Sequence, residues 1–418
     1  MNIIRAKEYE IFSCAKECAG CVALNKKDFD ALENFVTERS DIMLDIMGIS
    51  VKKGIDKIIT TKNYVGVIAL STGNIIEILP KIHSENTGDS RKLLVDMLNT
   101  LYEPSFKQLQ MSKVAVEKTS VLEIFIKQYI DDVFLLVKSG LNSGYESVCE
   151  NKNYYKGKVK FNEQVKYNYA HKERSYSEFD VFTPNRPENR IIKSTLRLLY
   201  RITVHHKSKL RTLLELFSEV DLSENYESDF AKITFGRNNK KYETILQWSM
   251  VFLRGNSFST FAGSQVSLAL LFPMEKLFES YVAALLRKAI DKKNYKVHVQ
   301  DKRYSLFNSP TLFSLQPDIV IEDIHSGEMF VMDTKWKLLS EKSSNYGISQ
   351  ADMYQMYAYS KKYSSPNITV IYPLTENSLD TLEFRSDDGV NVKIKFIDLF
   401  NARNSIKEIL SLIEPVTN

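Results

Sequence analysis

Residues 316–337 read QPDIVIEDIHSGEMFVMDTKWK, and the fold of the C-terminal third turns on them. Two apolar, β-branched runs, 319–324 and 329–336, flank His325-Ser326-Gly327, where glycine supplies a turn position with positive φ. A turn centred between His325 and Ser326 pairs Asp323 with Glu328 and, further down, Asp318 with Asp333. Side chains alternate along a strand, so Val331, Asp333 and Lys335 share one face and Met332, Thr334 and Trp336 the other. Asp318, Asp333 and Lys335 are therefore expected on one face of one hairpin. Two carboxylates ~4 Å apart in an effective dielectric of about 20 repel by about 4 kcal/mol. A divalent cation removes that cost, and an adjacent ammonium reduces it.

Pro317-Asp318 followed by Asp333-Thr334-Lys335 resembles the PD-(D/E)xK nuclease pattern. On that pattern Asp318, Asp333 and the Thr334 backbone carbonyl offer hard oxygen ligands to Mg²⁺, with Mn²⁺ as a substitute. The metal polarises a phosphate and acidifies a bound water, and Lys335 positions that water or offsets developing charge. The Thr334 side chain is expected to point away from the metal face. Phe330, Val331 and Met332 make the preceding run apolar, as in a buried strand that delivers its ligands at one end. Ahead of the hairpin, an amphipathic helix over 274–290 carries Glu279 beside a stripe of Leu277, Phe278, Tyr281 and Val282. Nucleases of this type often place such a glutamate next to the metal. Behind the hairpin, a helix over 350–363 sets Gln355 and Tyr359 on one face. Their spacing resembles the trailing helix of RecB-like nucleases. The plainer alternative is an edge hairpin of solvated charges, with Glu279 paired to Arg287 or Lys276.

The chain has 418 residues, enough for two or three domains, and its composition is that of an ordinary globular protein. A net charge of +4 does not require a nucleic-acid partner but allows a local basic surface. The start, MNIIRAKEYEIF, lacks the pattern of a signal peptide. The apolar helix expected over 121–141 carries Glu123, Lys127, Asp131, Asp132 and Lys138, so it is amphipathic rather than membrane-spanning. A prokaryotic cytoplasmic location is expected. Cys14-x3-Cys18-x2-Cys21 has the spacing of a radical SAM motif. Gly20 stands where an aromatic is usual, however, and a short helical or strand element with core or unpaired thiols is expected instead, the three cysteines sharing one face if it is helical. No G-x-x-x-x-G-K-[ST] occurs, so a nucleotide-driven step needs a partner.

Along the rest of the chain, a helix over 27–35 with Asn25 as N-cap, a hairpin over 64–82 and a helix over 91–102 are expected. Residues 154–183 alternate like two strands with a polar crossover near 168–174. They are basic through Lys156, Lys158, Lys160, Lys166, His171, Lys172 and Arg174, with tyrosines interleaved. A long helix follows from 189 to about 220, with His205-His206 on its basic face, and another spans 242–252. From 272 onward helices alternate with strands, which calls for a mixed sheet with helices on its faces.

The whole pattern is similar to the McrC family, the nuclease subunit of McrBC-type modification-dependent restriction systems. The likeness rests on Tyr64-Val65-Gly66-Val67, Glu77-Ile78-Leu79-Pro80-Lys81-Ile82, Lys156-Gly157-Lys158, Asn189-Arg190-Ile191-Ile192-Lys193 and Phe272-Pro273-Met274-Glu275-Lys276-Leu277-Phe278-Glu279, followed by the hairpin and helix motifs above. Alanine commonly stands where this chain has Thr334. The resemblance implies a multi-domain α/β chain: an N-terminal α+β domain (1–105), a helical partner-binding region with a long basic hairpin (106–265) and a PD-(D/E)xK nuclease domain (266–418). It implies an Mg²⁺-dependent endonuclease of phage defence, acting on double-stranded DNA that carries modified cytosine such as 5-methylcytosine. It also implies an McrB-like AAA+ GTPase hexamer as partner, with GTP used only by that partner, and His171, Lys172 or Arg174 at the hairpin tip acting on it. An adaptor that only activates a ring NTPase and a free-standing nuclease are the alternatives.

Overall fold

A computed structural model describes residues 2–15, 20–38, 44–52, 56–82, 87–101, 120–234, 236, 241–257, 266–375 and 381–413. The chain divides into two compact units, one of Met1–Val121 with Leu271–Asn418 and one of Leu122–Leu270. The sequence-based boundary at 105/106 lies outside the described residues, as does residue 265.

In the first unit, the expected early hairpin is present: Tyr64–Leu70 runs antiparallel to Ile75–Leu79, which pairs in parallel with Ile3–Lys7. A second sheet orders Cys21–Ala23, Ile11–Ser13, Asp56–Thr61 and Met47–Lys52. The helix Lys26–Glu38 starts at Asn25, whose Oδ1 accepts the Asp28 N–H at 2.9 Å. One cysteine expectation changes. Cys14 is free and exposed, an unpaired thiol as expected, and Cys21 lies in a strand but is disulfide-bonded rather than unpaired; Cys18 lies outside the described residues.

A six-stranded mixed sheet organises the C-terminal part. Its order is Tyr295–Val299, Ile319–Asp323, Met329–Thr334, Asn367–Pro373, Asn391–Ile397, Leu382–Arg385. Met329–Thr334, Asn367–Pro373 and Asn391–Ile397 are mutually parallel, and the outer pairings are antiparallel. Ile319, Val320, Ile321, Val331, Met332, Ile368 and Ile371 are all buried, so these strands read as apolar runs because both faces are covered. Helices Met274–Ala289, Gln350–Tyr363 and Ala402–Leu410 pack on the sheet. The trailing helix has the expected bounds. Ser349 caps its start, accepting the Asp352 N–H, and Ser364 ends it in the left-handed conformation.

The second unit is a helical body with a β-extension. Tyr129, Trp248 and Phe252 form its aromatic centre, and Phe125 stacks on Trp248 at 5.1 Å. The helix expected from 189 to 220 is two, Pro187–Ile202 and Lys207–Leu216. His205 and His206 lie in the break rather than on a helix face, and His206 Nε2 stands 3.6 Å from the buried Glu123 carboxylate.

The hairpin expected over 154–183 is also corrected. Its long strands are Gly144–Lys152 and Ser175–Thr183, with the short strand Lys158–Val159 beside the second. Helix Phe161–Asn168 fills the excursion between them. Gly157 is required there: its φ is +77°, and an added Cβ would stand 2.3 Å from the Glu178 carbonyl oxygen. The extension is fixed at its base by Asn189, which is fully buried. Its Nδ2 donates to the carbonyls of Asn142 (2.9 Å) and Pro184 (2.7 Å), and its Oδ1 accepts from the Tyr242 hydroxyl at 2.9 Å. Arg190 beside it bonds Asp229 at 2.8 Å. The Asn-Arg-Ile-Ile-Lys run is thus a structural anchor.

Candidate active site

The hairpin register is the one expected. Ile319 faces Met332 and Glu322 faces Met329, and the Asp323 N–H donates to the Glu328 carbonyl at 2.9 Å, with Gly327 at φ +73°. One step beyond the ladder, Asp318 and Asp333 stand opposite each other. Asp333 is 1% exposed, at the end of the apolar central strand. Its carboxylate is ion-paired to the Lys335 ammonium. Burial first, then the Asp318 charge, push the Asp333 carboxyl up to about 7, and Lys335 pulls it back only in part. The same attraction raises the Lys335 ammonium above its ordinary value against its own burial.

Thr334 departs from expectation. Its hydroxyl does not turn away from the site but donates to Asp318 Oδ2 at 2.7 Å, while its N–H donates to the same oxygen at 2.8 Å. Strand alternation failed here because Asp318 lies past the ladder's end, where its carboxylate is free to lean across the Thr334 backbone.

Glu279 comes from the preceding helix, five residues on from its buried first residue, Met274. It is half-buried, and burial followed by the Asp318 charge raise its carboxyl to about 7. The Lys276 charge pulls it back only in part, and its Oε1 accepts from Gln300 Nε2 at 2.8 Å. On the other side, the Lys335 ammonium reaches Gln355 Oε1 at 3.5 Å, and Gln355 Nε2 donates to the Tyr359 hydroxyl at 2.7 Å. An ammonium only donates, so Gln355 must turn its oxygen to Lys335 and its nitrogen to Tyr359. Asp318, Asp333, Lys335, Glu279, Gln355 and Tyr359 are therefore brought to one locus by four different elements. Sequence reading missed Gln300 and Gln316, whose Nε2 donates to Gln300 Oε1 at 3.0 Å.

Three carboxyls against one ammonium leave the locus short of positive charge, and two of the three have their protons held to about pH 7. All three are hard oxygen donors, the set a divalent cation of the Mg²⁺ or Mn²⁺ type takes. The donor chemistry fits. Among the described residues no three acidic, histidine or cysteine side chains are already gathered at ligand spacing. Lys335 occupies one Asp333 oxygen and Thr334 holds one Asp318 oxygen.

A family model described as McrBC 5-methylcytosine restriction system component matches residues 59–373, most of the chain. The chain belongs to this McrBC family. Comparison with curated proteins gave no match. Among solved structures, its fold is similar to a chain in the refined half-complex from a tetradecameric assembly of Thermococcus gammatolerans McrB AAA+ hexamers with bound McrC. That likeness has a TM-score of 0.69 and 18% identity, over 99% of this chain and 100% of that one. A chain in the cryo-EM structure of the Thermococcus gammatolerans McrBC complex is similar at a TM-score of 0.49 and 17% identity, over 70% of this chain and 89% of that one. The McrBC match begins in the strand Asp56–Thr61 and ends at Pro373, so it includes both the β-extension and the carboxylate locus.

The residues expected to meet a partner lie together in the turn between helix Phe161–Asn168 and strand Ser175–Thr183. His171, Lys172 and Arg174 are all exposed. His171 Nδ1 stands 3.1 Å from Glu173 Oε1, and Arg174 reaches only the Asn151 carbonyl, at 3.4 Å. Among the described residues no helix is long and apolar enough to cross a membrane.

Proposed function

We propose that the chain is the DNA-cleaving subunit of an McrBC-type restriction complex, a divalent-metal-dependent endonuclease that also binds and stimulates an McrB-like AAA+ GTPase. The observation that carries the nuclease reading is the Asp318–Asp333–Lys335 cluster at the end of a buried strand, with Glu279 beside it. A surface hairpin of solvated charges does not bury a carboxylate to 1% exposure and raise its proton affinity. Asp318, Asp333 and Glu279 would hold the cation, with the Thr334 carbonyl as a further oxygen. When bound, the cation polarises a phosphodiester and makes a water nucleophilic near neutral pH. Lys335 then has two tasks: it weakens the hold of Asp333 on its proton, and its ammonium would stand beside the phosphate oxygens that gain charge. Gln355, aligned by Tyr359, holds that ammonium in place. Thr334, with two donors on one oxygen, fixes the orientation of the Asp318 carboxylate and leaves its other oxygen for the cation.

The β-extension supports the partner reading. Its far end exposes Tyr154, Tyr155, Phe161, Val165, Tyr167 and Tyr169 among lysines, an apolar and basic surface of the kind that marks a protein interface. Modified-cytosine recognition and GTP hydrolysis belong, on this reading, to the partner. The test is cleavage of methylated double-stranded DNA with Mg²⁺, GTP and an McrB-like partner. Asp333→Ala is expected to lower cleavage by about 10²-fold or more, with partner GTPase stimulation intact. Cleavage that survives the substitution rules out this metal site, and cleavage by the chain alone without GTP favours a free-standing nuclease.

A further inference from the structure

Gln300 ends the edge strand Tyr295–Val299 and lies directly across the ladder from Asp318. Its backbone N–H donates to the Asp318 carbonyl at 2.8 Å, and its side-chain Nε2 donates to Glu279 Oε1 at 2.8 Å. One residue thus ties together two carboxylate-bearing positions from separate elements. It does so in an unfavourable backbone conformation: φ is +49°, in the left-handed region that a long side chain seldom adopts.

Such strain persists only where the surroundings over-determine it. Here the next residue, Asp301, is buried and accepts from the Arg303 N–H (2.9 Å), Arg303 Nε (2.7 Å) and the Tyr363 hydroxyl (3.0 Å). Tyr363 sits one turn beyond Tyr359 on the helix that carries Gln355, so the trailing helix clamps the Gln300 turn. The amide's direction is also determined. A carboxylate only accepts, so Nε2 faces Glu279, and the freed Oε1 accepts from Gln316. Gly or Asn would relieve the backbone, yet neither could span to Glu279.

We propose that Gln300 is a positioning residue that sets Glu279 against Asp318 for cation binding, its left-handed backbone being tolerated for that purpose. The assignment rests on the nuclease reading of the site. Gln300→Asn tests it, because Asn accepts the left-handed conformation and lacks only one methylene of reach. Gln300→Gly is the second variant, removing the side chain and the strain together. Both are expected to melt at or above the temperature of the unaltered chain. Both should bind Mn²⁺, titrated calorimetrically without DNA, about 10–100-fold more weakly, with a matching loss of cleavage in the full complex. Unchanged Mn²⁺ affinity in a chain that still cleaves overturns the assignment, as does an affinity loss that merely follows a lowered melting temperature. If instead the unaltered complex cleaves no DNA, or Asp333→Ala cleaves as well as it does, the nuclease reading fails and takes the Gln300 role with it.

Discussion

Asp333 faces Asp318 at the end of an apolar strand, and Lys335 answers only one of the two charges. An unfolded aspartate titrates near about 3.9, whereas Asp333 in the fold is pushed up to about 7 by burial and then by Asp318. For an acid raised in this way the folded chain binds the proton more tightly than the unfolded one. Its stabilising contribution is therefore full below about pH 4, and it is lost as pH rises through about 7. Asp333→Asn is expected to make the metal-free chain more stable at pH 8, by about 1–3 kcal/mol, the range for an uncompensated buried polar group. That advantage should shrink to nothing toward pH 4. Added Mg²⁺ should raise the melting temperature of the unaltered chain at pH 8 and leave the variant unmoved. Calorimetric melting in EDTA and in Mg²⁺ checks both, and an Asn variant less stable than the parent at pH 8 contradicts the argument.

The strand Met329–Thr334 that carries Asp333 is held beyond the site by Trp336. Its indole N–H donates to both oxygens of Glu8, at 3.2 and 3.0 Å, and its ring packs on Phe278 at 5.3 Å, one residue before Glu279. Glu8 is buried, also accepts the Lys81 N–H at 3.0 Å, and has its carboxyl raised by desolvation to about 7. Trp336→Phe keeps the ring contact and removes the donor. It should cost about 1–3 kcal/mol in chemical denaturation above pH 7, where Glu8 is ionised, and less at pH 5, where the carboxyl carries its own proton.

How far the elements could be read in advance follows from the range of the forces that fix them. The hairpin register, the turn at Gly327 and the trailing helix were legible, because alternation, a glycine and an i, i+4 pair are local signals. Gln300, Gln316 and the Glu8–Trp336 contact were not, because each depends on which strand or loop lies alongside, and nothing at position 300 announces a left-handed backbone. The 154–183 segment misled for a related reason. Its lysine–tyrosine alternation mimics a strand, while the true partner strand, Gly144–Lys152, is mostly polar and lies outside it.

At the scale of the whole molecule, the chain carries two separable sets of chemistry and no P-loop with which to drive either. The carboxylate locus belongs to the unit of Met1–Val121 and Leu271–Asn418, and the aromatic, basic β-extension to the unit Leu122–Leu270. An McrBC-type chain built this way should lose its two proposed activities one at a time. The simultaneous substitutions His171→Ala, Lys172→Ala and Arg174→Ala touch only exposed side chains in the turn before strand Ser175–Thr183. Exposed substitutions of this kind usually change stability by no more than about 0.5 kcal/mol each. Mn²⁺ affinity and melting should therefore stay at their unaltered values. If the turn reaches the partner's nucleotide site, GTP hydrolysis by the partner should fall by about tenfold or more, since a cation placed against a phosphoryl-transfer transition state contributes at least that much. On the proposed function, DNA cleavage should fall with it. Asp333→Ala should give the reverse pattern, with GTP hydrolysis retained and cleavage lost. Measuring both rates on both variants separates the roles: a triple variant that still stimulates the GTPase fully moves the contact elsewhere on the extension.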